Sequence, residues 1–352
     1  MALAVEFLPV GDSDGDAILV KYGDDSGYWL NLVDGGYASV GETVIEHIHQ
    51  HYGRDVTIHK MVVSHADNDH AAGLIPVFKS FRVETLWMNR PWLYAYEVID
   101  QFHGNWTVAG WVNHVRGKHE YLVELENLAR ARGLEPQEVF QGAQIGPFLV
   151  LAPSRARYVS LIADLEKTPP LYKSDVAVRM RGLFELARGA LDRLKETMDI
   201  ETLDPNPPAT SASNETSVVQ LGVYENHKIL LTADAGPAAL MEAALYAYGQ
   251  GVLSLPDLVQ IPHQGSRRNV TPAVLDAWLG PPNSGTPVRG VAYVMVGARK
   301  PDHPRNKVKN AFIRRGYPVF VGRTGWMRMN WGYEARGTPL TPEPLSYDVE
   351  DD

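Results

Sequence analysis

At 352 residues the chain has room for one large α/β domain or two ordinary ones, either with a sizeable core. Hydrophobic residues at 45% and charged residues at 21% exclude a disordered polymer, and a formal charge of −9 argues against a broad basic grip on nucleic acid, leaving room for a substrate held by metal ions and a few arginines. The lack of cysteine excludes disulfides, thiolate ligands and a cysteine nucleophile, so a metal site here must use histidine and carboxylate.

The opening MALAVEFLPVGD has no basic n-region and does not read as a signal peptide. No stretch approaches the roughly 18 apolar residues of a membrane span. A soluble, cytoplasmic protein is expected. VEFLPV, DAILVKYG and YWLNLV read as strands separated by GDSDG and ended by the turn DGG. GETVIEHIHQHY suits a helix, IHKMVVS a strand, and HAAGLIPVFKSF a helix with Pro76 near its first turn. WMNRPWLYAY and NWTVAGW hold four of the eight tryptophans, and YLVELENLARARG reads as a helix closed by Gly133. GAQIGPFLVLAP is a further strand. SDVAVRMRGLFELARGALDRLKETM repeats Leu183, Leu186, Ala190 and Leu194 at helical spacing, and DPNPPATSAS, 204–213, reads as a mobile linker. SVVQLGVY and KILLTAD form a hairpin; AALMEAALYAYG, TPAVLDAWLG and KVKNAFIRRG are helices; LVQIPH, GVAYVMVG and a final YPVFVGR are strands. The tail SYDVEDD is acidic and expected to be disordered. No repeat is visible, and interleaved strands and helices imply layered sheets covered by helices.

Four loops that follow apolar strands end in a potential metal ligand: Asp34 in NLVDGG, the loop SHADNDHAAG, Asp234 in LLTADAG and His263 in LVQIPHQGS. In HADNDH an extended start puts His65 and Asp67 on one side. A helix starting near Asp69 turns Asp69 and His70 towards a second point, so one loop can serve two ions. Taken alone the loop can also be an Asx-rich turn with Asp69 as N-cap, but beside Asp234 and His263 the metal reading prevails. Asp34 can be a turn former, His263 a strand-end histidine and His303 part of a surface turn. Ser266, Arg267 and Arg268 can be solvated turn residues. His47 and His51 have metal-pair spacing on a helix, but nothing converges on them and they read as a solvated face. The Trp87–Trp111 aromatics read as packing, with a base-stacking platform as the alternative. The helix from Leu183 to Met198 is expected to dock on the body or on a second subunit.

Seven motifs then occur in one order: VGDSDGDAILV, LVDGG, SHADNDHAAG, NETSVVQL, LLTAD, PHQGS and MVGARKPDHP. The series resembles the ComEC-like branch of the metallo-β-lactamase fold superfamily, named for the hydrolase-like domain of a bacterial DNA-uptake channel protein. That branch shows VGQGDAxLI, LIDGG, SHxDxDHxGG, NxxSLVL, LLTGD, HHGS and SVGxxxxxGHP. The resemblance runs from about Val5 to Trp331, with foreign material between about Glu84 and Ser213.

The resemblance implies a four-layer αββα sandwich, a single hydrolase-like domain over 1–335 with a partly helical insertion at about 84–213 and a tail at 336–352. It implies two divalent ions, zinc or manganese with magnesium as a further option. His65 and Asp67 would hold the first, Asp69, His70 and His263 the second, and Asp234 would bridge them. Asp34 would orient a metal-bound histidine. Asn214 lies nearest the position of a missing third histidine, and Gln264 stands where the family has a second imidazole. Asp69 and His303 are the catalytic candidates. Ser266, Arg267 and Arg268 would bind substrate, and Lys300, Arg305 and Lys307 add local positive charge. The implied function is a metal-dependent phosphodiesterase or nuclease acting on nucleic acid or a nucleotide phosphodiester. The alternatives are an ester, lactone or thioester hydrolase, or a catalytically weakened metal-binding regulatory module. Homo-oligomerisation would run through the insertion.

Overall fold

The computed structural model describes the chain apart from residues 1, 13, 25, 103, 166–196, 283–286, 335, 336, 338, 340–342 and 349–352. The first sheet is built by β1 (Ala2–Phe7), β2 (Ile18–Asp24), β3 (Gly27–Val33), β4 (Thr57–Val62) and β5 (Arg82–Trp87). The second holds β6 (Gln144–Ile145), β7 (Phe148–Ala152), β8 (Val219–Tyr224), β9 (His227–Leu231), β10 (Leu258–Gln260), β11 (Val291–Met295) and β12 (Val319–Gly322). The chain then returns to the first sheet with β13 (Met327–Trp331), which pairs antiparallel with β1. The orders are β13-β1-β2-β3-β4-β5 and β12-β11-β10-β9-β8-β7-β6. In each sheet a hairpin-connected half gives way to parallel strands, at β3-β4-β5 and at β9-β10-β11-β12.

Helices cover the outer faces: α1 (Ala38–His51), α2 (Asn68–Ala71), α3 (Leu74–Ser80), α4 (Ala95–Val98), α5 (Val108–Lys118), α6 (Glu120–Ala131), α7 (Arg155–Ile162), α8 (Ala212–Glu215), α9 (Pro237–Gly249), α10 (Pro272–Leu279) and α11 (Asn306–Arg314). Three apolar layers result. Val44, Phe78, Trp111 and Leu125 pack over the first sheet. Phe7, Val62, Phe148 and Met295 fill the space between the sheets. Leu240, Leu275, Trp278 and Phe312 lie over the second. This is the expected αββα layering. Strands covered on both faces explain why β1 is buried throughout and β2 up to its last residue, Glu6 and Lys21 included. None of the described helices is long and apolar enough to cross a membrane.

Several expectations need correcting. The helix read over 70–81 is two helices, because Gly73 lies so close to Gly35 that a Cβ there would stand 1.8 Å from the Gly35 carbonyl oxygen. YPVFVGR is not the last strand; MRMNW follows it at an edge of the other sheet. His47 is no solvated residue: its Nε2 lies 2.8 Å from Glu6 Oε2 inside the fold, and both His47 and His51 pack against Trp326. The stretch from 84 to 213 completes β5 of the first sheet and supplies β6 and β7 of the second, two strands where one returning strand was expected. Trp92 and Trp111 are buried in the first outer core, as packing requires. The linker ends in α8, capped by Ser211. The Leu183 helix lies outside the described residues up to Glu196. In the acidic tail, Asp348 is held 2.7 Å from Lys309 Nζ and Tyr347 under the Arg314 guanidinium.

Gly222 on β8 faces Phe148 across the β7 pairing, and a Cβ there would meet the ring at 2.6 to 2.9 Å. Phe148 is fixed between the sheets and cannot withdraw cheaply. Gly222→Ala is therefore expected to lower stability by about 1–3 kcal/mol through overpacking, read from the midpoint of urea unfolding. An unmoved midpoint would show that the intersheet layer is looser than this.

Candidate metal centre

The site lies beyond the carboxyl ends of β3, β4, β9 and β10, where open α/β sheets leave a crevice. The strand ends carry strained backbone. Asp34, Ala233, His263 and Gln264 have φ of 57°, 45°, 48° and 54°, a region that non-glycine residues occupy at a cost and that clusters at functional sites.

Asp34 is the anchor. Its Oδ1 accepts the Ser64 N–H at 2.8 Å, and its Oδ2 accepts the Ser64 hydroxyl and stands 2.8 Å from His70 Nδ1. That contact places the His70 proton on Nδ1 and turns the lone pair of Nε2 outward. His65 is arranged alike, with Nδ1 3.0 Å from Ser64 Oγ. The Nε2 atoms of both rings are buried and have no hydrogen-bond partner among the described residues, although the ring centroids are only 4.2 Å apart.

Carboxylates and a third imidazole gather around these two atoms. Asp67 Oδ2 is 3.6 Å from His65 Nε2, while Asp234 Oδ1 and Asp69 Oδ2 are 3.5 and 3.9 Å from His70 Nε2. Asp234 Oδ2 is 3.6 Å from His263 Nε2. Such separations are too long for hydrogen bonds. They suit donors that share an ion lying about 2 Å from each. His65, His70 and Asp234 offer ligand atoms all within 4.8 Å of one another, as do Asp16, Asp34 and His70. The residues therefore fit a divalent cation. All six expected ligand residues converge, with His70 and Asp234 at the middle.

Charge coupling is strong. Burial pushes Asp16 up to about 7 against the pull of His70, with Asp234, Asp34 and Asp69 pushing the same way as burial. Burial acts on Asp234 too, but the charges of His70 and His263 hold its carboxyl well below the usual range. His70 is raised well above an ordinary imidazole, because Asp234 and Asp34 outweigh its burial.

Several participants have no sequence signal of their own. Asn269 Oδ1 is 2.9 Å from His263 Nδ1, and its amide donates to the Asp234 carbonyl at 2.8 Å, so it serves His263 as Asp34 serves His70. Ser213 Oγ donates to Asp67 Oδ1 at 2.7 Å. Asp16, in the GDAILV segment, accepts from Gln260 Nε2 at 2.8 Å; an acid just ahead of a buried apolar strand was the available clue. Asn214 does not face the two orphan nitrogens: its amide is 3.2 Å from His263 Nδ1 and bonds Thr210. Gln264 faces away as well; with its amide turned to satisfy both groups it joins Asp14 Oδ1 to the Gly15 N–H.

The other candidates stand apart. Arg267 and Arg268 are exposed, with no hydrogen bond or ion pair to either guanidinium among the described residues, and Ser266 Oγ only accepts from the Arg268 N–H at 3.4 Å. His303 pairs with Asp302 at 3.3 Å on a loop docked against Gly265, and no described contact joins it to the six. Of the basic residues around it, Arg305 is paired with Asp302 and Lys307 is buried.

No family model matches the chain, and neither does any curated protein. Similar solved structures include hydrolase AbOPH, described as in the beta lactamase superfamily, at 13% identity over 62% of this chain and 55% of that one, with a TM-score of 0.31. They also include Zn(2+)-bound PqqB from Methylobacterium extorquens, at 10% identity over 94% of this chain and 99% of that one, with a TM-score of 0.42. The match thus spans about half the length of the first and nearly all of the second.

A ligand that binds only the folded state stabilises it by about 2.7 kcal/mol at a hundredfold excess over its Kd. The melting temperature of the wild-type protein should therefore rise with zinc or manganese, and that of His65→Ala with His70→Ala should not. Asn269→Ala should weaken the metal by about 10–100-fold in calorimetric titration. A wild-type melting temperature indifferent to zinc, manganese and magnesium would remove the metal assignment.

Proposed function

We propose that the chain is a metal-dependent hydrolase of phosphodiesters, with nucleic acid as its substrate class. The observation that carries this reading is the pair of partnerless Nε2 atoms on His65 and His70, buried beside Asp234 and ringed by further carboxylates. The ordered motifs of the ComEC-like branch support it from the sequence side. When bound, paired divalent ions supply a water whose pKa falls towards neutrality and positive charge facing the phosphoryl oxygens.

The remaining work falls to the chain. Asp34 and Asn269 hold His70 and His263 in the tautomer that leaves Nε2 free to donate its lone pair. Asp69, partly open to solvent beside His70, is positioned to take the proton released by an attacking water. Arg267 and Arg268, exposed just after the His263 turn, are available to an approaching phosphate. Five carboxylates, those of Asp16, Asp34, Asp67, Asp69 and Asp234, lie close together, which makes an oxygen-rich donor set and favours manganese or magnesium beside zinc.

An ester or lactone hydrolase would call for an apolar pocket from the Trp87–Trp111 segment. Trp92 and Trp111 are instead committed to the core, and the cleft next to Asp69 is lined by Asp12, Asp14, Arg299 and Lys300. A charged substrate fits these walls better than an apolar one.

Cleavage of labelled single- and double-stranded DNA and RNA, and of a bis-aryl phosphodiester, tests the proposal in the presence of manganese, zinc or magnesium. Wild type should turn over at least one of them, and His65→Ala with Asp69→Ala should lose the activity by at least about a hundredfold. Equal activity in wild type and variant, or wild-type turnover of esters alone, would overturn it.

A further inference from the structure

We propose that the groove beside the metal centre holds single-stranded nucleic acid, with Lys300 and Arg299 taking phosphates and Tyr37 and Tyr121 offering their rings to unpaired bases. This rests on the phosphodiester reading and adds to it a binding track that the motifs do not mark.

The groove has a volume of about 630 Å³ and a neighbouring recess of about 530 Å³, which share Asp12, Ser39 and Arg299. Together these volumes exceed what a single phosphate needs. The groove is continuous with the cluster through the backbone. Tyr37 follows Asp34 by three residues, Ala72 follows His70 by two, and Asp14 is separated from Asp16 by Gly15 alone. Gly15 has φ +102° and lies so close to Asp69 that a Cβ would stand 1.8 Å from the Asp69 carbonyl oxygen.

The cationic wall is fixed in place but its charges are not locked up. Arg323 donates to the carbonyls of Lys300 at 3.2 Å, Pro301 at 3.3 Å and His303 at 2.6 Å, and the Ala298 N–H bonds the Gly11 carbonyl. Lys300 Nζ lies 2.7 Å from Asp14, both about a third exposed, and Arg299 lies 3.9 Å from Asp12, both mostly exposed. Exposed pairs of this kind contribute little, so a phosphate can take over either cation. The groove is lined as well by Tyr37, 39% exposed, and by half-buried Tyr121. Aromatic rings spaced along a charged track are how single strands are held without regard to sequence.

A duplex fits less well. Its base faces are covered, and its charge density calls for a broad basic surface. Here two acids balance two bases along the groove, on a chain of net charge −9.

Binding is measured by fluorescence anisotropy on the full chain with manganese, using a labelled phosphorothioate 12-mer that resists cleavage, as single strand and as duplex. The single strand should bind more tightly. Arg299→Ala with Lys300→Ala should weaken it by at least about tenfold and flatten its salt dependence by roughly one contact or more. Tyr37→Ala should cost about tenfold, whereas Tyr37→Phe, which keeps the ring, should bind as wild type does. Each variant is checked for the wild-type melting temperature. Wild-type indifference to the single strand, a preference for duplex, or variants that bind unchanged would overturn the groove assignment. Wild-type cleavage of a bis-aryl phosphodiester, measured alongside, reports separately on the underlying reading: turnover there with unchanged oligonucleotide binding leaves the function standing and removes only the groove.

Discussion

An imidazole nitrogen withdrawn from water needs a partner, and the organisation of this protein follows from leaving two of them without one. The Nε2 atoms of His65 and His70 are sealed inside a shell of carboxylates whose nearest oxygens stop at 3.5 and 3.6 Å. A proton shared between ring and carboxylate would draw these groups to hydrogen-bond distance. The spacing is held open instead, and what holds it is the opposite side of each ring. Ser64 fixes His65, Asp34 fixes His70 and Asn269 fixes His263. Each imidazole is thereby aimed from behind, and the cost of burying an unpaired polar atom is accepted in exchange for a prepared ligand set.

That aim depends on backbone geometry which ordinary residues resist. Asp34 and His263 sit in the left-handed region at the point where their strands end, so that each side chain turns back over the sheet edge. Neighbouring glycines let the loops close. Gly73 against Gly35 presses the end of the histidine loop onto the loop after β3, and Gly15 against Asp69 brings in Asp16. A Cβ at Gly73 or at Gly15 would stand 1.8 Å from a facing carbonyl oxygen, so a side chain at either position would force these loops apart.

Much of this was legible in the sequence, and the boundary between legible and hidden has a physical cause. Residues in one short loop advertise themselves by spacing, as His65, Asp67, Asp69 and His70 do. Single residues at strand ends, the ligands Asp234 and His263 and the supporting Asp34, are visible because an apolar run precedes them. Asn269 and Ser213 carry no such mark, since each acts through one hydrogen bond made across the fold. Asp16 was in view at the start of DAILVKYG but read as the first residue of a strand, because nothing local says that its carboxylate turns inward. The fold's hidden parts are alike: β13 is a mixed-polarity edge strand, and the break at Gly73 comes with the close approach of Gly35, thirty-eight positions earlier in the chain. His47 looked solvated because its partner, Glu6, lies on β1.

The ligand set is also divided between the two sheets. His65, Asp67, Asp69 and His70 follow β4 of the first, while Asp234 and His263 follow β9 and β10 of the second. The Phe7–Phe148 layer between the sheets brings those edges together, and at the rim the Gln260–Asp16 hydrogen bond and the bond from the Val218 N–H to the Ser64 carbonyl tie them. A cation bound there would bridge the layers at the rim, adding a link where apolar packing ends and loops begin. Metal affinity and intersheet packing are then one coupled quantity. A substitution deep in the middle layer, far from every ligand, can loosen the site by letting one sheet edge drift against the other, with no ligand removed.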